Sequence, residues 1–261
     1  MFDYHMHTVV SFDGKQRGTD AVKAALEAGL KEICFTDHLD YDPLEKMGIL
    51  AFDTQRYNEE YDSLEAPGLK IRRGMEFGMT VDNRDQFKRD LQRRPFDFVL
   101  GSVHFVDDLD VYYPEYWADK TVFQAERRYL EATLECVQLH EDFDVLAHLT
   151  YIAKTHCHPA PRPVSFGEHR ELIDEILRVL AGKGKGLELN TSGMDRCGGF
   201  LPTADYFRRF RELGGEIVTV GSDAHTPNRV GQYAFDACAL LKDIFGYVCT
   251  FEERKPIFHK L

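Results

Sequence analysis

Six times along this chain a short apolar run ends on a histidine or a carboxylate, and that recurrence constrains the fold more than any other feature. KEICFTDH ends in Asp37 and His38, LKIRRGME in Glu76, FDFVLGSVH in His104, FDVLAH in His148, and EIVTVGSDAH in Asp223 and His225. The opening stretch FDYHMH supplies the sixth, with His5 and His7 two residues apart. On an extended strand residues i and i+2 share a face, so both imidazoles aim at one spot. A seventh run, KGLELN, is strand-like too. Between the runs lie stretches of helical period, among them TDAVKAALEAG, TVFQAERRYLEATLECVQLH, FGEHRELIDEILRVLAGKG and TADYFRRFRELGG. Thr19 or Asp20 is placed to cap the first helix and Thr203 the last of these, while Gly29, Gly182 and Gly214 sit where helices stop.

Strands that alternate with helices or long loops form a parallel sheet. No break in composition divides residues 1–261. One α/β domain closed into a barrel is therefore expected, with an open doubly wound sheet as the alternative. In either fold the carboxyl ends of the strands make one rim, and active sites are built there. A lone histidine at a strand end is more often a satisfied core or loop residue. Six coincident strand ends make a shared polar centre the better explanation. Imidazole and carboxylate donors without cysteine suit zinc, manganese or iron and argue against a closed structural zinc site. So many donors exceed what one ion uses, so the centre is expected to be multinuclear.

Composition limits the partners. Asp plus Glu outnumber Lys plus Arg by 44 to 32, a net charge of -12. Such a surface repels polyanions, so nucleic acid is not an expected partner. A small phosphorylated substrate remains compatible, because bound cations reverse the field locally. No apolar run is long enough to span a bilayer. The start of the chain lacks the basic and apolar regions of a secretory signal, and the six cysteines are scattered without a C-x-x-C pair. A cytoplasmic protein with reduced thiols and no membrane partner is expected. Two long polar stretches interrupt the pattern and are candidate pocket walls or lids. The first, LDYDPLEKMGILAFDTQRYNEEYDSLEAPG, has a helical second half with Tyr57, Tyr61 and Leu64 on one face; the second is VDDLDVYYPEYWADK.

The order of motifs is distinctive: His5-Met6-His7-Thr8 with Ser11-x-Asp13, Thr36-Asp37-His38, Gly74-x-Glu76, Gly101-Ser102-Val103-His104, Ala147-His148, and Gly221-Ser222-Asp223-Ala224-His225. Together they make the chain resemble the PHP (polymerase and histidinol phosphatase) superfamily, within it the histidinol-phosphatase branch, over nearly the whole length. The resemblance implies a distorted (βα)7 TIM-like barrel with three divalent ions per chain, zinc first and manganese or iron as alternatives. Carried over, His5, His7, Glu76 and Asp223 hold the first ion, and Glu76 bridges to a second on His104 and His148. The third sits on Asp13, His38 and His225, the Asp13 position being variable in related enzymes. Asp37 points the other way and is assigned a supporting role. A metal-bridging hydroxide would be the nucleophile, the general acid being left open.

A phosphate monoester also wants guanidinium groups, and Arg162 and Arg196 follow strand-like runs on the active rim. Two features depart from the family pattern. Thr150 stands where a carboxylate often follows the fifth motif, and His156-Cys157-His158 has no strand-end partner. The implied activity is hydrolysis of L-histidinol phosphate, with a phosphatase or phosphodiesterase acting on another small substrate, such as a nucleotide, as the alternative. A noncatalytic or polymerase-associated module is disfavoured by the near-complete ligand set and the length of the chain.

Overall fold

The computed structural model describes residues 1–43, 50 and 52–261. All seven apolar runs contribute strands to one parallel sheet. They are β1 (Phe2–Asp3), β2 (Glu32–Phe35), β4 (Lys70–Gly78), β5 (Phe98–Ser102), β8 (Val145–Leu146), β9 (Gly186–Asn190) and β10 (Val218–Gly221), paired in that order, with β3 (His38–Leu39) added beside β4. The first and last strands meet just past their ends: Tyr4 N donates to Val220 O at 2.9 Å and Asp223 N to His5 O at 2.8 Å. A parallel bridge joins Met6 to Ala224. The result is a nearly closed seven-stranded barrel. Every residue of β2, β5, β9 and β10 is buried, as parallel strands covered on both faces require.

The helices are α1 (Gly18–Glu27), α2 (Thr54–Tyr61), α3 (Arg84–Leu91), α4 (Pro114–Trp117), α5 (Val122–Leu139), α6 (Arg170–Gly182), α7 (Met194–Cys197), α8 (Ala204–Glu212) and α9 (Ala234–Ile244). On α6 the buried apolar side chains are Ile173, Ile176, Leu177 and Leu180, an i, i+3, i+4, i+7 stripe against the barrel. Each stabilises the fold by roughly 1.5–3 kcal/mol. Two boundaries differ from the sequence expectation. Helix α1 starts at Gly18, so neither Thr19 nor Asp20 is its N-cap; Asp20 is at the third helical position and accepts from Arg17 N at 3.2 Å. Helix α6 runs through Gly182, and Gly184, at φ 64°, takes the left-handed stop. Thr203 does precede α8, without a capping side-chain bond.

The long segments after β3 and β5 are built structures. Helix α2 buries Tyr57 and Tyr61, with Leu64 partly buried beyond it; residues 44–49 and 51 of that segment lie outside the described residues. The second forms a hairpin of β6 (Phe105–Val106) and β7 (Leu109–Asp110) followed by α4, where buried Trp117 donates to Val111 O at 3.0 Å. A C-terminal hairpin of β11 (Tyr247–Glu252) and β12 (Lys255–Lys260) was not expected. It packs Phe251 against Phe98 and Tyr4, near the strand starts, so it covers the end of the barrel opposite the rim.

Candidate metal centre

Parallel pairing puts all the strand ends on one side, and the side chains there converge. Glu76, on β4, lies at the centre. Its Oε1 is 2.7 Å from His148 Nε2 and 3.5 Å from His104 Nε2. Its Oε2 is 3.1 Å from His38 Nδ1, 3.3 Å from His5 Nε2 and 3.4 Å from His7 Nε2. Asp223 Oδ1 stands 3.4 Å from His7 Nε2 and 3.7 Å from His5 Nε2. His225 Nε2 is 3.0 Å and His38 Nε2 3.8 Å from Asp13 Oδ2. All nine strand-end and loop donors singled out in the sequence thus meet in one basin.

The outer nitrogens fix several tautomers. His5 Nδ1 is 2.7 Å from Glu188, and His104 Nδ1 is 2.8 Å from Asp40; a carboxylate only accepts, so both nitrogens carry protons. His225 Nδ1 faces the Asp223 carbonyl at 2.9 Å, with the same consequence. Ser11 gives its one hydroxyl proton to Asp37 at 2.8 Å, so His7 Nδ1, 3.2 Å away, donates to Ser11. In these four rings, when neutral, the Nε2 lone pair therefore faces inward, those of His5 and His7 only 3.1 Å apart. Buried lone pairs aimed at one another and at carboxylates repel unless cations lie among them. Asp13 Oδ1, His38 Nδ1, Asp40 Oδ2 and Glu76 Oε2 are moreover buried without a hydrogen-bond partner. The donor set fits divalent metal ions, and outward Nδ1–H bonds to carboxylates are the usual support of histidine ligands.

Protons compete for the same nitrogens. His38 is pushed up to about 9: burial opposes its charge, but Glu76, Asp40 and Asp13 outweigh it. His7 is pushed down to about 3 by burial and by the neighbouring His225 and His38. Glu76 and Asp223 are held well below the usual carboxylate range despite burial, Glu76 by His5 and His38, Asp223 by Lys154 and His5.

The basin opens into a cavity of about 510 Å³, within the range of small-molecule sites. Its wall carries Lys15, Lys154, Arg196 and Arg229. The side chain of Arg196, on α7, has no hydrogen-bond or ion-pair partner among the described residues, whereas Arg229 is paired with Asp195. Lys154 Nζ contacts Asp223 and lies 2.8 Å from Ser192 Oγ. Arg162 is not on the wall. It turns to Glu168 at 3.1 Å and to the buried Glu126 at 3.5 Å. His158 Nε2 also faces Glu126, at 3.7 Å, and Trp117 packs on its ring.

The sequence reading missed Asp40, Glu188 and Lys154. Two close approaches admit the carboxylates: a Cβ on Gly78 would lie 1.8 Å from Asp40 Oδ1, and one on Gly221 would lie 2.1 Å from Glu188 Oε1. A charged residue in the middle of the fully buried run GLELN was the available signal for Glu188. Asp37 has the supporting place expected of it, accepting from Thr8 N at 2.8 Å and from Ser11 and Tyr61.

The chain is similar to known proteins in sequence and in fold. The model of the PHP domain matches residues 3–192. A histidinol-phosphatase of Lactococcus lactis is 34% identical over 260 residues, 97% of this chain and 95% of that one. A chain of Clostridium acetobutylicum named "Probable histidinol-phosphatase" is 31% identical over 97% of this chain and 98% of that one. The crystal structure of histidinol phosphate phosphatase from Lactococcus lactis, complexed with zinc, L-histidinol and phosphate, superposes with a TM-score of 0.88 at 33% identity over 98% of each chain.

Proposed function

The chain belongs to the PHP domain family, and from that premise we propose that it is a histidinol-phosphatase, cleaving L-histidinol phosphate to L-histidinol and inorganic phosphate as a step of histidine biosynthesis. The observation that carries this reading is the basin itself: one carboxylate, Glu76, within 3.5 Å of five imidazole nitrogens, at the floor of a cavity with a free guanidinium on its wall. The donors divide as His5, His7, Glu76 and Asp223 for one ion, Glu76, His104 and His148 for a second, and Asp13, His38 and His225 for a third. Zinc, which the Lactococcus enzyme holds, is the first candidate. Divalent ions held there supply the positive charge that phosphoryl transfer needs on its oxygens.

The chain's own groups do the rest. Arg196 offers a planar fork of donors suited to two phosphate oxygens. Lys154 has three donors; Asp223 and Ser192 engage two and leave one for the cavity. Asp40, 2.8 Å from His104 Nδ1 and 3.0 Å from His38 Nδ1, orients His104, and Glu188 orients His5. The six cysteines are free, in keeping with a reducing compartment, and no helix among the described residues is long and apolar enough to cross a membrane. A substrate panel on metal-replete protein tests the assignment. L-histidinol phosphate should exceed a nucleoside monophosphate and an aryl phosphate by a wide margin in kcat/KM. A nucleotide turned over more efficiently would remove the histidine-pathway assignment and leave a metallophosphatase.

A further inference from the structure

Five carboxylates line the cavity: Asp13, Asp40, Glu76, Asp110 and Asp223. Four of them stand within 4 Å of a histidine or lysine nitrogen in the basin. Asp110 is the exception. Among the described residues its carboxylate accepts one hydrogen bond, from Tyr112 N to Oδ1 at 2.8 Å, and no cationic side chain forms an ion pair with it. Burial pushes its carboxyl up, with Tyr112 N and His104 opposing the shift and Asp40 and Asp42 adding to it.

The backbone presents this group rigidly. The β6–β7 hairpin begins right after His104, with Phe105 opposite Asp110, and Val111 N donates back to His104 O at 3.0 Å. Its two turn residues, Asp107 and Asp108, have φ of 52° and 60°, the tight mirror-image turn whose twist matches the strands. Asp110 therefore sits one short hairpin from a basin histidine. The wall's cations come from other elements: Lys154 ends the turn Tyr151–Lys154, Arg196 is on α7 and Arg229 is in the turn Pro227–Arg229. The cavity thus combines cationic side chains with one carboxylate that has no ion pair among the described residues, a lining suited to a molecule that carries both phosphate and a cation.

We propose that Asp110 is the specificity-determining residue that receives the substrate's ammonium group. The proposal rests on the histidinol-phosphatase reading and extends it to a residue outside the basin. The phosphate end is held by charge that any phosphate monoester shares, so discrimination in favour of an amino-alcohol phosphate has to come from a group that only the amine engages.

The test compares L-histidinol phosphate with its deamino analogue, an imidazolyl-propyl phosphate, on the metal-loaded full chain. Wild-type protein should favour the amine by about ten- to a hundredfold in kcat/KM, the range of a charge-assisted hydrogen bond. Asp110→Asn, which keeps the shape, should collapse that ratio to near one, mainly through KM for the amine, and Asp110→Glu should restore part of it. A ratio unaltered in Asp110→Asn, or a loss shared equally by both substrates, overturns the assignment while leaving the histidinol-phosphatase reading intact. Wild-type protein that hydrolyses phenyl phosphate but not L-histidinol phosphate overturns both.

Discussion

Glu76 touches five imidazoles, and no other side chain in the basin is shared so widely. Glu76→Gln removes the one charge common to two of the proposed ion sites, so activity should fall by more than about a hundredfold, with ions lost. Asp13→Asn, which touches only the third proposed site, should cost less. Metal analysis and steady-state rates on the two variants check the order; near wild-type turnover with full metal content in Glu76→Gln would contradict it. Arg196 has a different signature. Arg196→Ala should lower kcat/KM by about ten- to a few-hundredfold, chiefly through KM, with metal content unaltered, and Arg196→Lys should recover only part. The nine donors were legible because each closes or follows an apolar run at a strand end. Asp40 and Glu188 were not, because one lies past a two-residue strand and the other inside a strand. Arg162 followed the same sequence logic as Arg196, but the 155–169 segment turns it toward Glu126.

The segment that carries His158 and Arg162 is pinned to helix α5 through one buried carboxylate. Glu126 is 3.2 Å from His169 Nε2, 3.5 Å from Arg162 and 3.7 Å from His158 Nε2. Those partners outweigh its burial and pull its carboxyl down to about 2 from the ordinary 4.5. A depressed folded pKa means stability that is present above the ordinary value and lost as the pH falls toward the folded one. Glu126→Gln should therefore cost about 3 kcal/mol at pH 7, and the gap should narrow as the pH drops below about 4.5. Denaturant unfolding of both proteins at pH 7 and pH 4 measures this, and a gap independent of pH would show that the partners act through shape alone. At this scale the seven barrel strands and the long helices were legible from period and length. The C-terminal hairpin was hidden by its turn: Glu253 and Arg254, at φ of 49° and 65°, make the reversal without the Asn or Gly that marks such turns. The β6–β7 hairpin was hidden in the same way behind Asp107 and Asp108.

Over the whole molecule, an acidic chain of net charge -12 concentrates carboxylates and imidazoles at one rim and sets four cationic residues in the wall of the cavity there. The barrel makes this possible, because parallel strands deliver every run to the same side however far apart the runs lie in sequence. Closure itself was legible only as a preference. Strand alternation allows an open sheet equally well, and the contacts that decide it, Tyr4 with Val220 and His5 with Asp223, join the two ends of the strand order. The assignment of this rim as a multinuclear hydrolytic centre has a direct consequence in metal content. It is tested most directly by stripping the protein with chelator, restoring zinc in steps, and measuring bound ions per chain beside the rate on L-histidinol phosphate. Activity should disappear on chelation and return in full only as the content approaches about three ions per chain. Fewer than one ion per chain, with activity intact after exhaustive chelation, would contradict it.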